Sequence, residues 1–129
     1  MNTPQDLMAI GRKLIAHCDN GTEREGLMEL YTADAVSAEA AAMPGQDSAE
    51  ARGRDAILGK IDWWYDNHEV HSSQAEGPFI HMPDRFCVIF SADITDRNSG
   101  ERTQMREVGT YFVNDDGRIV REEFAYGFD

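Results

Sequence analysis

Glu39 stands between Ala38 and Ala40, a carboxylate flanked by methyl groups. Withdrawn from water in such company, it would hold its proton more tightly and approach the range useful for a general base. The opposing reading leaves it at a short edge strand, pointing into water. A second group is Asn67-His68-Glu69-Val70-His71, whose imidazoles can give or take a proton near neutral pH. His68 and His71 have the separation of a metal pair, but a helix running into a strand does not keep that spacing on one face. No third ligand stands near them, so no metal is expected, and His68 is read as a proton donor or a hydrogen-bonding histidine. Tyr126 adds a phenol that can return a proton to a substrate. Trp63-Trp64-Tyr65 supplies aromatic area, with Trp64 either packed in the core or lining a ligand pocket. The chain shows no nucleophile-elbow serine, glycine-rich phosphate loop, Cys-x-x-Cys pair or basic–aromatic stripe. No cofactor is implied.

The elements that must hold these residues are legible in the pattern. Thr3-Pro4 opens a first helix, Leu7, Gly11, Leu14, Ile15 and Cys18 recur at helical spacing, and Asp19-Asn20-Gly21 stops it. Thr22 and Glu25 form a capping-box pattern for a short second helix carrying Leu27, Leu30 and Tyr31. Small residues from Asp34 to Ala41 predict a strand that carries Glu39. The polar stretch from Met43 to Arg52 reads as a lid-like loop. A third helix runs from about Gly53 to Asn67, with Ile57, Ile61, Trp64 and Tyr65 to one face.

The second half changes period. His71–Ile80, Arg85–Thr95, Arg102–Val113 and Arg118–Tyr126 are four strand-like runs separated by short turn clusters, which predicts an antiparallel meander. Helices first and strands after give an α+β layer. Phe86 and Phe90 share one alternation of their strand, while Cys87 and Ile89 make the other face apolar as well. A sheet with one solvated face should alternate cleanly between apolar and polar. The second face is therefore expected to be covered by another copy of the chain, as a homodimer.

Composition bounds the rest. The chain has 129 residues, the size of one domain spanning 1–129. Twelve basic against 24 acidic side chains give a formal net charge of −12, which repels phosphate backbones and anionic lipid. Nucleic acid and membrane are thus not expected partners. Cys18 and Cys87 lie among apolar residues without ligand spacing, and read as reduced thiols of a cytoplasmic protein.

Four strings carry a family resemblance: Leu30-Tyr31-Thr32-Ala33-Asp34-Ala35-Val36, Arg52-Gly53-Arg54-Asp55-Ala56-Ile57, Asn114-Asp115-Asp116-Gly117-Arg118-Ile119-Val120, and the closing Glu122-Glu123-Phe124. In this order they resemble a SnoaL-like domain of the nuclear transport factor two superfamily, which includes ketosteroid isomerase and polyketide cyclases. The resemblance covers nearly the whole chain. It implies a cone-shaped α+β barrel, with three N-terminal helices packed on a curved, mainly antiparallel sheet around a deep apolar pocket. It puts Glu39 where ketosteroid isomerase carries its proton-abstracting aspartate. It places Leu14 and Gly109 where that enzyme holds its hydrogen-bond donors; neither side chain can donate, so steroid isomerisation by that route is not expected.

The resemblance also turns Glu122, Phe124 and Tyr126 inward, with Glu107 and Tyr111 beside them. In a register slipped by one residue the acids would instead be solvated. The reading that follows is a cofactor-independent lyase, isomerase or cyclase acting on a small apolar carbonyl compound. Glu39 abstracts a proton, and His68 or Tyr126 donates one. Trp64, Phe86, Phe90, Glu107, Tyr111, Glu122 and Phe124 contact the substrate. The alternatives are a non-catalytic binder of a small apolar ligand and a structural dimerisation domain.

Overall fold

The computed structural model describes residues 2–42 and 45–126. Met43 and Pro44, the start of the expected lid, lie outside the described residues. Among the described residues three helices pack against a six-stranded mixed sheet. Helix α1 (Pro4–Asn20) starts as its sequence dictates. Thr3 accepts from the Asp6 amide, Asp6 accepts from the Thr3 amide, and proline opens the first turn. It stops at Gly21, whose left-handed backbone lets its amide reach the last carbonyls. Leu7, Gly11 and Leu14 form its buried stripe. Gly11 is where the helix crosses the sheet: a Cβ there would sit 2.5 Å from Pro78.

Helix α2 (Glu23–Leu30) departs from expectation at its start. Thr22 makes no side-chain cap, and its hydroxyl pairs instead with His17 Nδ1 at 2.8 Å. The Thr22–Glu25 capping box is therefore not formed, the Thr22 hydroxyl being taken up by α1 instead. Tyr31, expected on the helix face, is the first residue of β1 (Tyr31–Ala38). That strand begins three residues earlier than the small-residue run predicts and ends one residue before Glu39. A short strand not anticipated from sequence, β2 (Glu50–Arg52), pairs antiparallel with β1. Its carbonyl neighbour Ala49 accepts from the Glu39 amide at 2.9 Å, which fixes the backbone of Glu39 at the strand end.

Helix α3 (Arg54–Asn67) is followed without a loop by β3 (His68–Ile80), then β4 (Arg85–Asp96), β5 (Arg102–Val113) and β6 (Ile119–Tyr126). The expected meander of β3 to β6 is present and antiparallel throughout, while β1 joins β6 in parallel. The strand order is β2-β1-β6-β5-β4-β3, an open sheet of mainly antiparallel pairing consistent with the expected cone fold. Strands β2 and β3 are its edges, and α3 touches both of them. A helix thus does at the sheet's opening what a further ladder would do in a barrel.

Register stacks the inner-face residues in rows across the strands. Phe86, Tyr111, Glu122 and Ser37 form one row, Val88, Gly109 and Phe124 the next, and Phe90, Glu107 and Tyr126 a third. The first row is sealed by the core of Leu7, Leu14, Leu27, Leu30 and Ile57. The third opens into a cavity. Among the described residues no helix is long and apolar enough to cross a membrane.

Candidate active site

The cavity holds about 1150 Å³ and is lined mainly by apolar side chains of all three helices and the inner sheet face. It brings together Glu39, His68, Tyr126, Trp64, Phe90, Glu107, Tyr111, Glu122 and Phe124. Phe86, expected to touch substrate, does not line it. That ring is fully buried beneath α1 and stacks on Tyr111 with centroids 5.1 Å apart, so it supports a wall residue from behind. Alternation put Phe86 on the correct face, but α1 covers that end of the strand.

One wall is a continuous polar chain. Glu39 Oε1 pairs with Lys60 Nζ at 2.7 Å, and its Oε2 accepts from the Tyr126 hydroxyl at 2.8 Å. Lys60 also donates to Ser37 Oγ at 2.5 Å and lies 5.0 Å above the Phe124 ring. Ser37 passes its own proton to Glu122 Oε2 at 2.6 Å, and the Tyr31 hydroxyl donates to Glu122 Oε1. Glu39 is therefore held by Lys60 on one oxygen and Tyr126 on the other. Burying acids in an apolar cone is affordable only with such pairing.

Titration follows environment. Glu122 is 6% exposed, and burial pushes its carboxyl above the usual range against the opposing hydrogen bonds from Ser37 and Tyr31. Burial, then the Glu122 charge, pushes the Tyr31 phenol well up. Burial and the bond to Glu39 raise Tyr126 to about 12. Burial raises the Cys18 thiol to about 12 as well, so this cavity residue is no thiolate nucleophile. Glu107 rises to about 7, first through burial and then through the Glu39 charge, with Lys60 opposing. Near neutral pH it exists in both protonation states.

At the mouth, the His68 ring stacks on Trp64 at 4.8 Å while its Nδ1 lies 2.8 Å from the Trp64 carbonyl. The expected helix-to-strand junction is there, and it parts the two histidines. His71 is exposed and bonds Thr95, and no metal-binding group of residues occurs among the described residues. Sequence reasoning missed Lys60, Ser37 and Tyr31. Lys60 did carry a signal: it falls on the stripe of Ile57, Ile61 and Trp64, where a lysine needs a buried partner.

Comparison with known proteins is consistent with this architecture. No curated protein matches the chain. A protein of Mesorhizobium loti, a candidate SnoaL-like polyketide cyclase, is 35% identical over 92% of this chain and 97% of its own, with a TM-score of 0.80. A Mycobacterium tuberculosis protein solved with estradiol-17β-hemisuccinate is 20% identical over 96% and 95%, with a TM-score of 0.73. The Δ5-3-ketosteroid isomerase of a Mycobacterium species is 24% identical over 95% and 93%, with a TM-score of 0.65. The SnoaL-like domain family matches residues 17–126, and the chain belongs to that family.

Proposed function

We propose that this protein takes a small apolar carbonyl compound into the cone and moves a proton on it by general acid/base chemistry, without a cofactor. The observation that carries this reading is Glu39, a carboxylate held by Lys60 and Tyr126 at the wall of a mainly apolar cavity. Lys60 and Tyr126 fix its orientation, and the surrounding rings keep bulk water from competing for the substrate's proton. Tyr126, already bonded to Glu39, and His68 at the mouth are the groups that return a proton. Relatives support the ligand class: one was solved with a steroid ester, and another is a ketosteroid isomerase. The reaction is of the lyase, isomerase or cyclase kind. The test is exchange of α-protons of cyclic and aromatic ketones into deuterated water, followed by NMR. Wild type should catalyse exchange and Glu39→Gln should lose at least about a hundredfold of it. Exchange that survives Glu39→Gln would overturn the assignment. Binding without exchange in wild type would leave the protein a carrier of such ligands.

We also propose a homodimer through the outer sheet face. There Phe79 and Val108 are 49% and 39% exposed beside the half-buried Ile89 and Phe112, and Arg121 pairs with Glu50 and Glu123 on the flank. A specific dimer would bury at least about 1,200 Å² in total. Sedimentation should show wild-type dimer at micromolar concentration, with Ile89→Glu and Phe112→Glu giving monomer or aggregate. The free thiols Cys18 and Cys87 fit a reducing, cytoplasmic setting.

A further inference from the structure

Ten of the twelve basic side chains are arginine, and Lys13 and Lys60 are the two lysines. Arginine makes the surface ion pairs at Asp84, Asp93 and Glu50. Lys13 also lies at the surface, its side chain 62% exposed and 4.0 Å from Glu29. Lys60 instead reaches into the cone, where its side chain is 13% exposed. Its neighbours there are Ile57, Ile61 and the Phe124 ring, whose centroid is 5.0 Å from Nζ. A counter-ion for Glu39 and Ser37 needs only a fixed charge, and arginine would hold both through its fork. What lysine adds, and arginine cannot, is an amine able to give up its proton. An acceptor for that proton is in place: Glu39 Oε1 lies 2.7 Å from Nζ, while Tyr126 occupies Oε2. Among the described residues Glu39 is the acid within ion-pair distance of Nζ.

We propose that Lys60 condenses with the carbonyl carbon of an uncharged aldehyde or ketone in the cone, forming an imine from which Glu39 takes the α-proton. The inference rests on the reading that the cone takes such a compound, and adds a covalent step to it. A ligand that fills the apolar cavity expels water, and two ions held without water are costly. Moving one proton from Lys60 Nζ to Glu39 Oε1 discharges the pair. The freed lone pair adds to the carbonyl carbon, and the π electrons of the carbonyl move to its oxygen. Glu39 gives its proton to that oxygen, takes one from the nitrogen, and passes it to the new hydroxyl, which leaves as water. The product is an iminium with one positive charge beside the Glu39 carboxylate, so the charges of the starting pair are restored. Glu39 next removes an α-proton, and the electrons of that C–H bond move into the iminium to leave a neutral enamine. The nitrogen is thus the electron sink, in a cone where Leu14 and Gly109 bring no side-chain donor to an enolate oxygen.

The probe is acetylnaphthalene, an aromatic methyl ketone, with sodium cyanoborohydride added to deliver hydride to any iminium carbon and fix it as a secondary amine. Peptide mass mapping of wild type should find the adduct on Lys60 in at least about tenfold excess over Lys13, the exposed control. Lys60→Arg keeps a cation beside Glu39 and Ser37 but has no amine to condense. It should melt close to wild type, carry no adduct there, and lose roughly a hundredfold of the α-proton exchange. Labelling of Lys60 no greater than that of Lys13 overturns the inference, and so does exchange that survives Lys60→Arg. If that variant fails to fold, the wild-type map decides alone. Exchange by wild type without a Lys60 adduct overturns the imine and leaves the acid/base reading standing. An adduct on Lys60 without exchange supports capture by the amine and overturns proton removal by Glu39. Neither adduct nor exchange overturns both.

Discussion

Glu122 on β6 and Glu107 on β5 line the same cavity, yet Glu122 is fully enclosed and Glu107 is not. Glu122 accepts from Ser37 and Tyr31 and is linked to Lys60 through Ser37, so each of its two oxygens has a donor. Glu107 keeps some solvent and has no hydrogen-bond partner among the described residues, and burial and the Glu39 charge raise it to about 7. Lys60 is the reason for the contrast: it lies against Glu39 and Ser37 and reaches Glu107 only through space. One wall of the cone therefore satisfies its own polar groups, and the other does not. A half that satisfies itself contributes stability and orientation.

The comparison breaks most visibly at Lys60. Replacing it by methionine keeps the apolar stem over Phe124 and removes the cation shared by Glu39 and Ser37. Removing one partner of a buried ion pair typically costs about 3–5 kcal/mol. The cost should be greatest near pH 8, where the remaining carboxyls are forced to ionise, and should shrink toward pH 4.5, where they can stay protonated. Chemical denaturation of wild type and Lys60→Met at both pH values measures it. A loss below about 1 kcal/mol at pH 8 would show that the wall is held by packing, not by charge.

Glu107→Gln should act in the opposite direction. Its folded-state pKa of about 7 lies above the ordinary 4.5, so the folded state prefers the neutral acid. Such a group costs nothing below pH 4, costs progressively more as pH rises through its unfolded value, and reaches a plateau above about 7. The glutamine variant should therefore match wild type in acid and exceed it at pH 8. The full shift corresponds to about 3 kcal/mol, and water reaching the cavity reduces that to about 2 kcal/mol. Melting curves that coincide from pH 4 to 8.5 would show that Glu107 is solvated.

How far this wall could be read in the sequence depends on distance along the chain. Glu39 stood out because its neighbours are methyl groups; alternation put Glu122, Phe124 and Tyr126 on one face, and only the family resemblance turned that face inward. The meander was legible because its turns are local. The parallel pairing of β1 with β6 was not: it joins residues more than eighty positions apart, and no local pattern encodes it. That pairing is what carries Ser37 to Glu122, so the polar chain stayed hidden with it. Tyr31 was hidden for a local reason. Its spacing suits the α2 stripe, but the chain turns extended at that residue and delivers the phenol to the sheet instead. The Thr22 cap failed because His17, five residues back, offered its hydroxyl a better partner.

The finest contrast lies between two tyrosines. Tyr31 and Tyr111 are both almost completely buried, both have phenols pushed well above their usual range by burial, and both stand near Glu122. Only Tyr31 donates to that carboxyl. Tyr31→Phe leaves Glu122 with one hydrogen bond fewer in a place water does not reach, and should cost about 1.5–3 kcal/mol. Tyr111→Phe removes a hydroxyl that bonds nothing among the described residues while keeping the ring stacked on Phe86 and edge-on to Phe124. Its cost should stay below about 0.5 kcal/mol, and relief of an unpaired polar group can turn it into a small gain. Because the two substitutions delete the same atom, their difference cancels the loss of the phenol itself and isolates its partner. Urea denaturation at pH 7 measures both, and equal costs would show that the two halves of the wall are alike. A large cost at Tyr111 alone would mean that its hydroxyl already has a partner in the folded protein, and the second half of the wall would then be as complete as the first.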